Sequence, residues 1–182
     1  MSLKEMVERV PLRFDFVGGM ARKYFQEGFR ALEVGANDGT FAKLFKSLGY
    51  HTTAFDIKDF SIMDTYKQYN PDRYIIGPEG FEVHDMPHDF EFVHIGQVLE
   101  HVPDPGGILY NASCYATGLV IVSVPNFPSR DHLRVYTKSE IMRLVGEYFW
   151  VAGCKVIKLP MIKTNFQKLQ FIVVAHVRPK GV

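Results

Sequence analysis

The segment Glu33-Val34-Gly35-Ala36-Asn37-Asp38-Gly39-Thr40 joins a short apolar run to a helical repeat and sets a carboxylate beside a flexible turn. A dinucleotide fingerprint counted from Gly35 needs glycine where the chain has Asn37 and Thr40, and no Gly-Lys-Ser/Thr follows to make a phosphate loop. An acid in this position suits a ligand with an ammonium group and repels a diphosphate. Gly35 permits close backbone approach, and Gly39 lets the following helix N-terminus reach a ligand. Asp56, closing the next apolar run, suits a vicinal ribose diol. His101 and His132 each follow a strand and stand on equal footing as proton acceptors, with loop ordering the alternative role for His132. The other histidines read as bland. His51 and His176 are structural, and His94 is a packed, hydrogen-bonded strand residue. Pro87 breaks the helical spacing of His84 and His88. Cys114 and Cys154 read as core residues, and no Gly-x-Ser-x-Gly elbow supports a hydrolase. Arg130, Arg134 and Lys138 form either a basic rim for an anionic substrate or a solvated helix entrance.

Those residues need elements to hold them. With 182 residues the chain suits one domain, residues 1–182. Hydrophobic residues are 47% and charged ones 23%, and the net charge of +1 excludes a nucleic-acid binder driven by bulk charge. Two cysteines cannot make a disulfide framework or zinc ribbon, which points to a reducing compartment. Lys4 and Glu5 stand where a signal peptide would be apolar, and Leu119–Val124 and Phe171–Ala175 are too short to span a bilayer. A cytoplasmic, membrane-free protein is expected, monomeric or homodimeric.

Apolar spacing predicts a helix over Leu3–Val10 ended by Pro11, and another from Val17 to Phe25 weakened by Gly18-Gly19. Strands are expected at Arg30–Val34, His51–Asp56, Phe90–Ile95, Leu119–Val124, Val151–Leu159 and Gln170–Val177. The third strand is either Arg73–Ile76 or Phe81–Val83. Helices should follow at Phe41–Leu48, closed by Gly49, at Ser61–Tyr69, from Pro105 behind the Asp104 cap, and from Thr137 through Val145 behind a capping box. The alternation implies an α/β fold, an open and mostly parallel doubly wound sheet with an antiparallel C-terminal edge hairpin. Its ligand site belongs at the carboxyl ends of the strands, just after Val34, Phe55, Ile95 and Val124.

Several blocks together resemble the class I S-adenosylmethionine-dependent methyltransferases, of the ubiquinone-biosynthesis-like and MetW-like branch. Glu33, Gly35 and Gly39 match the family's acid-x-Gly-x-Gly-x-Gly loop, with Asn37 in place of the middle glycine. Met86-Pro87…Phe90-Glu91-Phe92-Val93 is similar to the segment entering strand four. Leu99-Glu100-His101-Val102-Pro103-Asp104-Pro105 resembles a family signature, as do Val122-Ser123-Val124-Pro125-Asn126 and His132-Leu133-Arg134-Val135-Tyr136-Thr137. The resemblance implies a three-layer Rossmann-like core over 30–177, with the N-terminal helices of 1–29 covering the site. It implies S-adenosylmethionine as cofactor, with Glu33, Gly35, Asn37 and Gly39 at the methionine end. Asp56 would then serve the ribose, Ile57 the adenine, Asp85 the adenine amine, and Gly96 and Gln97 the substrate entrance. O-methylation of a small molecule or glycan-type acceptor is expected. The alternative is a MetW-like cofactor-binding module that acts through a protein partner without turnover.

Relatives that hold a divalent cation use Glu-x-x-Glu-His and a later histidine. Here Gln97 replaces the first glutamate before Glu100, His101 and His132, so no tightly bound metal is expected.

Overall fold

The computed structural model describes residues 11–58, 71–77, 81, 89–159 and 168–178. The expected helices over 3–10 and 61–69, the strand alternative 81–83, and Asp85, His84 and His88 lie outside the described residues. The elements run α1 (Pro11–Tyr24), β1 (Arg30–Val34), α2 (Thr40–Ser47), β2 (His51–Asp56), β3 (Arg73–Ile76) and β4 (Phe90–Gly96), followed by α3 (Pro105–Tyr115), β5 (Ala116–Pro125), α4 (Lys138–Tyr148), β6 (Phe149–Lys158) and β7 (Leu169–Val177). Pro11 is the first residue of α1. That position suits proline, because the first turn has no partner for its N–H.

The sheet order is β3-β2-β1-β4-β5-β7-β6. β1, β2, β3, β4 and β5 pair in parallel, whereas β7 runs against both β5 and β6. The chain therefore reverses its winding between β1 and β4, and the carboxyl ends of those strands open a crevice. β7 inserts between β5 and β6, which brings its first residues beside the end of β5, with Gln170 opposite Pro125.

Alternation along the strands divides the core into two layers. Leu32, Val93, Ile95, Val120 and Val122 pack against α3 and α4 through Ile108, Leu109, Ile141 and Val145. Ala31, Phe92, Ile121 and Ile172 pack against α1 and α2 through Phe14, Val17, Phe41 and Phe45. The helix ends carry their expected caps. Asp104 accepts from Gly107 N ahead of α3, and Thr137 with Glu140 closes a capping box on α4. No helix of the described residues is long and apolar enough to cross a membrane.

Two expectations are corrected. Cys114 is exposed on α3 rather than in the core, and Cys154 on the outer strand β6 is only partly buried. His94 is packed as expected but not hydrogen-bonded, since neither ring nitrogen has a partner among the described residues. Its ring lies 4.4 Å from Phe41 and 6.0 Å from Phe45, centroid to centroid. Burial drives its pKa down to about 3, with a smaller push from Arg13.

A histidine held neutral in the fold and protonated when unfolded makes stability fall with acid. The contribution is complete above the unfolded pKa near 6.5 and is lost as pH falls from there toward 3. Urea unfolding of the native chain and His94→Leu should therefore diverge below pH 6.5. The native chain should lose up to about 1.4 kcal/mol per pH unit relative to the variant. Parallel pH curves would refute this.

Candidate functional site

The turn between β1 and α2 is built on positive φ at three positions, Gly35 (76°), Asn37 (43°) and Gly39 (76°). A Cβ on Gly35 would come within 2.3 Å of Val98 Cγ2. Only glycine fits that approach, while asparagine tolerates the left-handed region at position 37. Gly39 caps α2 without a side chain. Glu33 supplies the missing acceptor, its Oε2 receiving the Ala42 N–H at 2.6 Å. Asp38 Oδ1 likewise takes the Thr40 N–H and hydroxyl, at 3.2 and 2.6 Å.

Asp56 secures the other side of the turn. Its Oδ2 accepts from Asn37 N at 2.8 Å and its Oδ1 from Lys58 N at 3.1 Å. Backbone bonds from Gly35 N and Ala36 N to Phe55 O complete the attachment of the turn to β2.

In front of this turn lies a cavity of about 300 Å³. Of the residues singled out in the sequence, Glu33, Gly35, Asn37, Gly96, Gln97 and His101 line it. Asp56 and Gly39 stand behind the turn rather than on the wall, Ile57 is exposed, and His132 lies one residue layer away beside His101. Arg13, Phe14 and Phe41 also line it.

Arg13 is the residue that the sequence reading missed. It projects from α1 into the cavity, its guanidinium carbon 5.0 Å from the centre of the Phe41 ring. Its Nε and Nη1 are buried without a partner among the described residues. Burial lowers its pKa, against the pull of Glu33, Glu100 and Asp38. Glu33 shows the opposite shift: burial raises its carboxyl well above the ordinary range, opposed by the Ala42 N–H. The only sequence signal for Arg13 was a lone arginine at the start of an apolar helix, a pattern that surface helices also show.

His101 and His132 form an edge-to-face pair with ring centroids 4.9 Å apart. Nδ1 of His101 lies 2.9 Å from Asp131 O, and Nδ1 of His132 lies 3.0 Å from Phe127 O. Carbonyls only accept, so both Nδ1 atoms carry the proton and both Nε2 atoms keep a lone pair. Nε2 of His101 sits 3.8 Å from Oε1 of Glu100, which is fully buried with neither oxygen hydrogen-bonded among the described residues. Burial raises the Glu100 carboxyl to about 7, moderated by its own backbone N–H and then by His101.

One donor atom from each of Glu100, His101 and His132 lies within 4.8 Å of the others. Two imidazoles and one carboxylate suit a borderline ion such as zinc better than magnesium, which prefers several anionic oxygens. Arg134 is no free rim residue. Its Nη2 donates to Val102 O and Pro103 O, tying the loop before α4 to the segment after β4.

Comparison with known proteins follows the same lines. A family model described as "Methyltransferase domain" matches residues 7–175. No curated protein sequence matches the chain significantly. Among solved structures, a methyltransferase from Bacillus halodurans is 14% identical with a TM-score of 0.71, over 90% of this chain and 97% of that one. The magnesium protoporphyrin IX methyltransferase of Synechocystis, solved with bound S-adenosylmethionine, is 14% identical with a TM-score of 0.66, over 90% and 78%. A Haloferax volcanii methyltransferase, solved in complex with an activator protein, is 14% identical with a TM-score of 0.66, over 96% and 93%. At these identities the likeness establishes the fold.

The geometry of the turn makes a stability prediction. Gly35→Ala should cost about 2–4 kcal/mol from the positive φ and the Val98 contact together. Asn37→Gly, which keeps the backbone free, should stay within about 1 kcal/mol of the native chain. Denaturant unfolding of both variants checks the pair, and equal losses would contradict the account.

Proposed function

The chain belongs to the methyltransferase-domain family, with S-adenosylmethionine as its cofactor, and on that premise we propose that it methylates an oxygen of a small-molecule or glycan-type acceptor. The observation that carries the reading is the pairing, in one cavity, of a buried carboxyl (Glu33) and an arginine (Arg13) whose Nε and Nη1 are buried without a partner among the described residues. An amino-acid terminus fits between them, with its ammonium toward Glu33 and its carboxylate toward Arg13. The raised pKa of Glu33 and the lowered pKa of Arg13 both reflect charges removed from water, and such a zwitterion would satisfy both.

Bound there, the cofactor supplies a methyl group on a sulfonium that leaves as a neutral thioether. Gly35 and Asn37 present backbone to the methionine portion, with Gly39 at the head of α2 behind them. Asp56 keeps lone pairs for the ribose hydroxyls after its two backbone bonds. Ile57 and Asp85 remain assigned to the adenine end, and Gly96 and Gln97 to the border with the acceptor. His101 or His132 takes the proton of the acceptor hydroxyl at Nε2, the nitrogen that each backbone carbonyl leaves with a lone pair.

The cofactor half of this reading is tested by calorimetry with S-adenosylhomocysteine. Arg13→Met should weaken binding about 10- to 100-fold through loss of charge-assisted bonds. Unchanged affinity would sink the Arg13 assignment.

The catalytic half is tested with labelled cofactor and a panel of alcohols, phenols and saccharides. Replacing the proton acceptor, by His101→Gln or His132→Gln, should slow transfer by about 10²–10⁴-fold and leave S-adenosylhomocysteine affinity nearly unchanged. Cofactor binding with no transfer to any acceptor would favour the module that acts through a protein partner.

Transfer should also survive exhaustive chelation. If a chelator abolishes it and magnesium, manganese or zinc restores it, Glu100, His101 and His132 become ligands of a required ion.

A further inference from the structure

The face of the sheet beneath α1 and α2 is apolar along most of its length but polar at the carboxyl ends of its strands. Ser123 lies opposite Gly96 on one side and Ile172 on the other, and Gln170 lies opposite Pro125. Alternation puts Ser123 on the same face as Ile121 and Gln170 on the same face as Ile172, both of the α1–α2 layer. Ser123 is 0% and Gln170 4% exposed. Gln97, held at a positive φ of 61° just after β4, lines the cavity and joins this pair.

Gln170 Nε2 donates to Gln97 Oε1 at 3.3 Å. That bond leaves Gln97 Nε2 and Gln170 Oε1 buried without partners among the described residues, and Ser123 Oγ has none among them either. Turning both amides over changes nothing in kind: one bond between two carboxamides always leaves one N–H donor and one carbonyl acceptor unused. Half-buried Gln97 on the cavity wall thus stands in front of two buried polar side chains, Gln170 and Ser123, and none of the three is ionisable. Buried polar groups without partners are costly, so their accumulation at one spot calls for a ligand that completes them.

We propose that Gln97, Ser123 and Gln170 form the acceptor subsite and select a neutral alcohol or phenol hydroxyl. A hydroxyl donates one hydrogen bond and accepts another, which meets the unused carbonyl and the unused N–H together. A carboxylate meets only the donor and an ammonium only the acceptor, and either enters a buried place that offers no counter-charge from these three side chains. An ether accepts without donating, and leaves the Gln170 carbonyl unmet. Ser123, donor and acceptor alike, adapts to whichever orientation the hydroxyl takes. The subsite only holds the acceptor; no bond is made or broken there. It rests on the methyltransferase reading, which sets the acceptor beside this cavity.

The test uses the full chain saturated with S-adenosylhomocysteine and four probes on one carbon frame: benzyl alcohol, benzyl methyl ether, benzoate and benzylammonium. Ligand-observed NMR titration should give benzyl alcohol a dissociation constant roughly fivefold or more below the other three. Ser123→Ala and Gln170→Met, tested separately, should each shrink that preference to about twofold or less while S-adenosylhomocysteine affinity stays within about twofold of native. Equal binding of all four probes, or a preference that survives both substitutions, overturns the subsite and leaves the cofactor reading standing. Failure of the native chain to bind S-adenosylhomocysteine overturns the reading beneath it instead.

Discussion

The backbone between β1 and α2 must turn from strand to helix within five residues, and three of them do so in the left-handed region. A turn of this shape points amide groups inward that its own carbonyls cannot reach. Two buried carboxylates from neighbouring strands answer them: Glu33 caps the Ala42 N–H, and Asp56 takes the Asn37 and Lys58 N–H groups. Glu33 also lines the cavity, so in that acid the support of the loop and the wall of the site draw on one set of lone pairs. Because a carboxylate offers about four acceptor positions, both tasks can be met at once. The cavity, the start of α2 and the spacing from β1 to β2 all depend on those bonds.

Charge inside the cavity is balanced across elements. Arg13 on α1 faces Glu33 on β1 and Glu100 beyond β4; burial shifts each toward its neutral form, and Arg13 attracts both acids. α1 is held over the site by apolar packing at Phe14, Val17 and Ala21, and by Tyr50 donating to Ala21 O. Tyr24 at its far end meets His176 on β7 at 3.2 Å. The helix thus ties β7 to the cavity beside the β1–α2 turn, and carries the arginine that lines it.

The insertion of β7 has a second consequence. Were the last two strands simply appended in chain order, Gln170 would lie one strand farther from the crevice. By running antiparallel beside β5, β7 delivers its first residues to the open end of the sheet, where Gln97 and Ser123 already stand. The polar inner edge of the cavity is therefore a product of topology as much as of composition.

Much of this was legible from residue order alone. Apolar runs bounded by turn residues located β1, β2, β4, β5, β6 and β7 to within a few residues, because strand and helix periodicities are local properties. Glu33, Gly35, Asn37 and Gly39 identified themselves for the same reason: a turn's φ requirements are written in the residues that make it. Asp104 and the Thr137–Glu140 box announced their helices through bonds that span only three residues. What the sequence could not disclose were relations between distant segments. It left β3 between two candidates, since a short strand at the edge of a sheet has little pattern of its own. It credited His94 with hydrogen bonds that its phenylalanine neighbours cannot provide, and buried Cys114 on a helix face that points to solvent. It assigned Asp56 to a ligand without its work in holding Asn37, and passed over Arg13 altogether. Whether an arginine on an amphipathic helix meets water or a cavity depends on the face that packing turns inward, and only the assembled sheet and helices decide that.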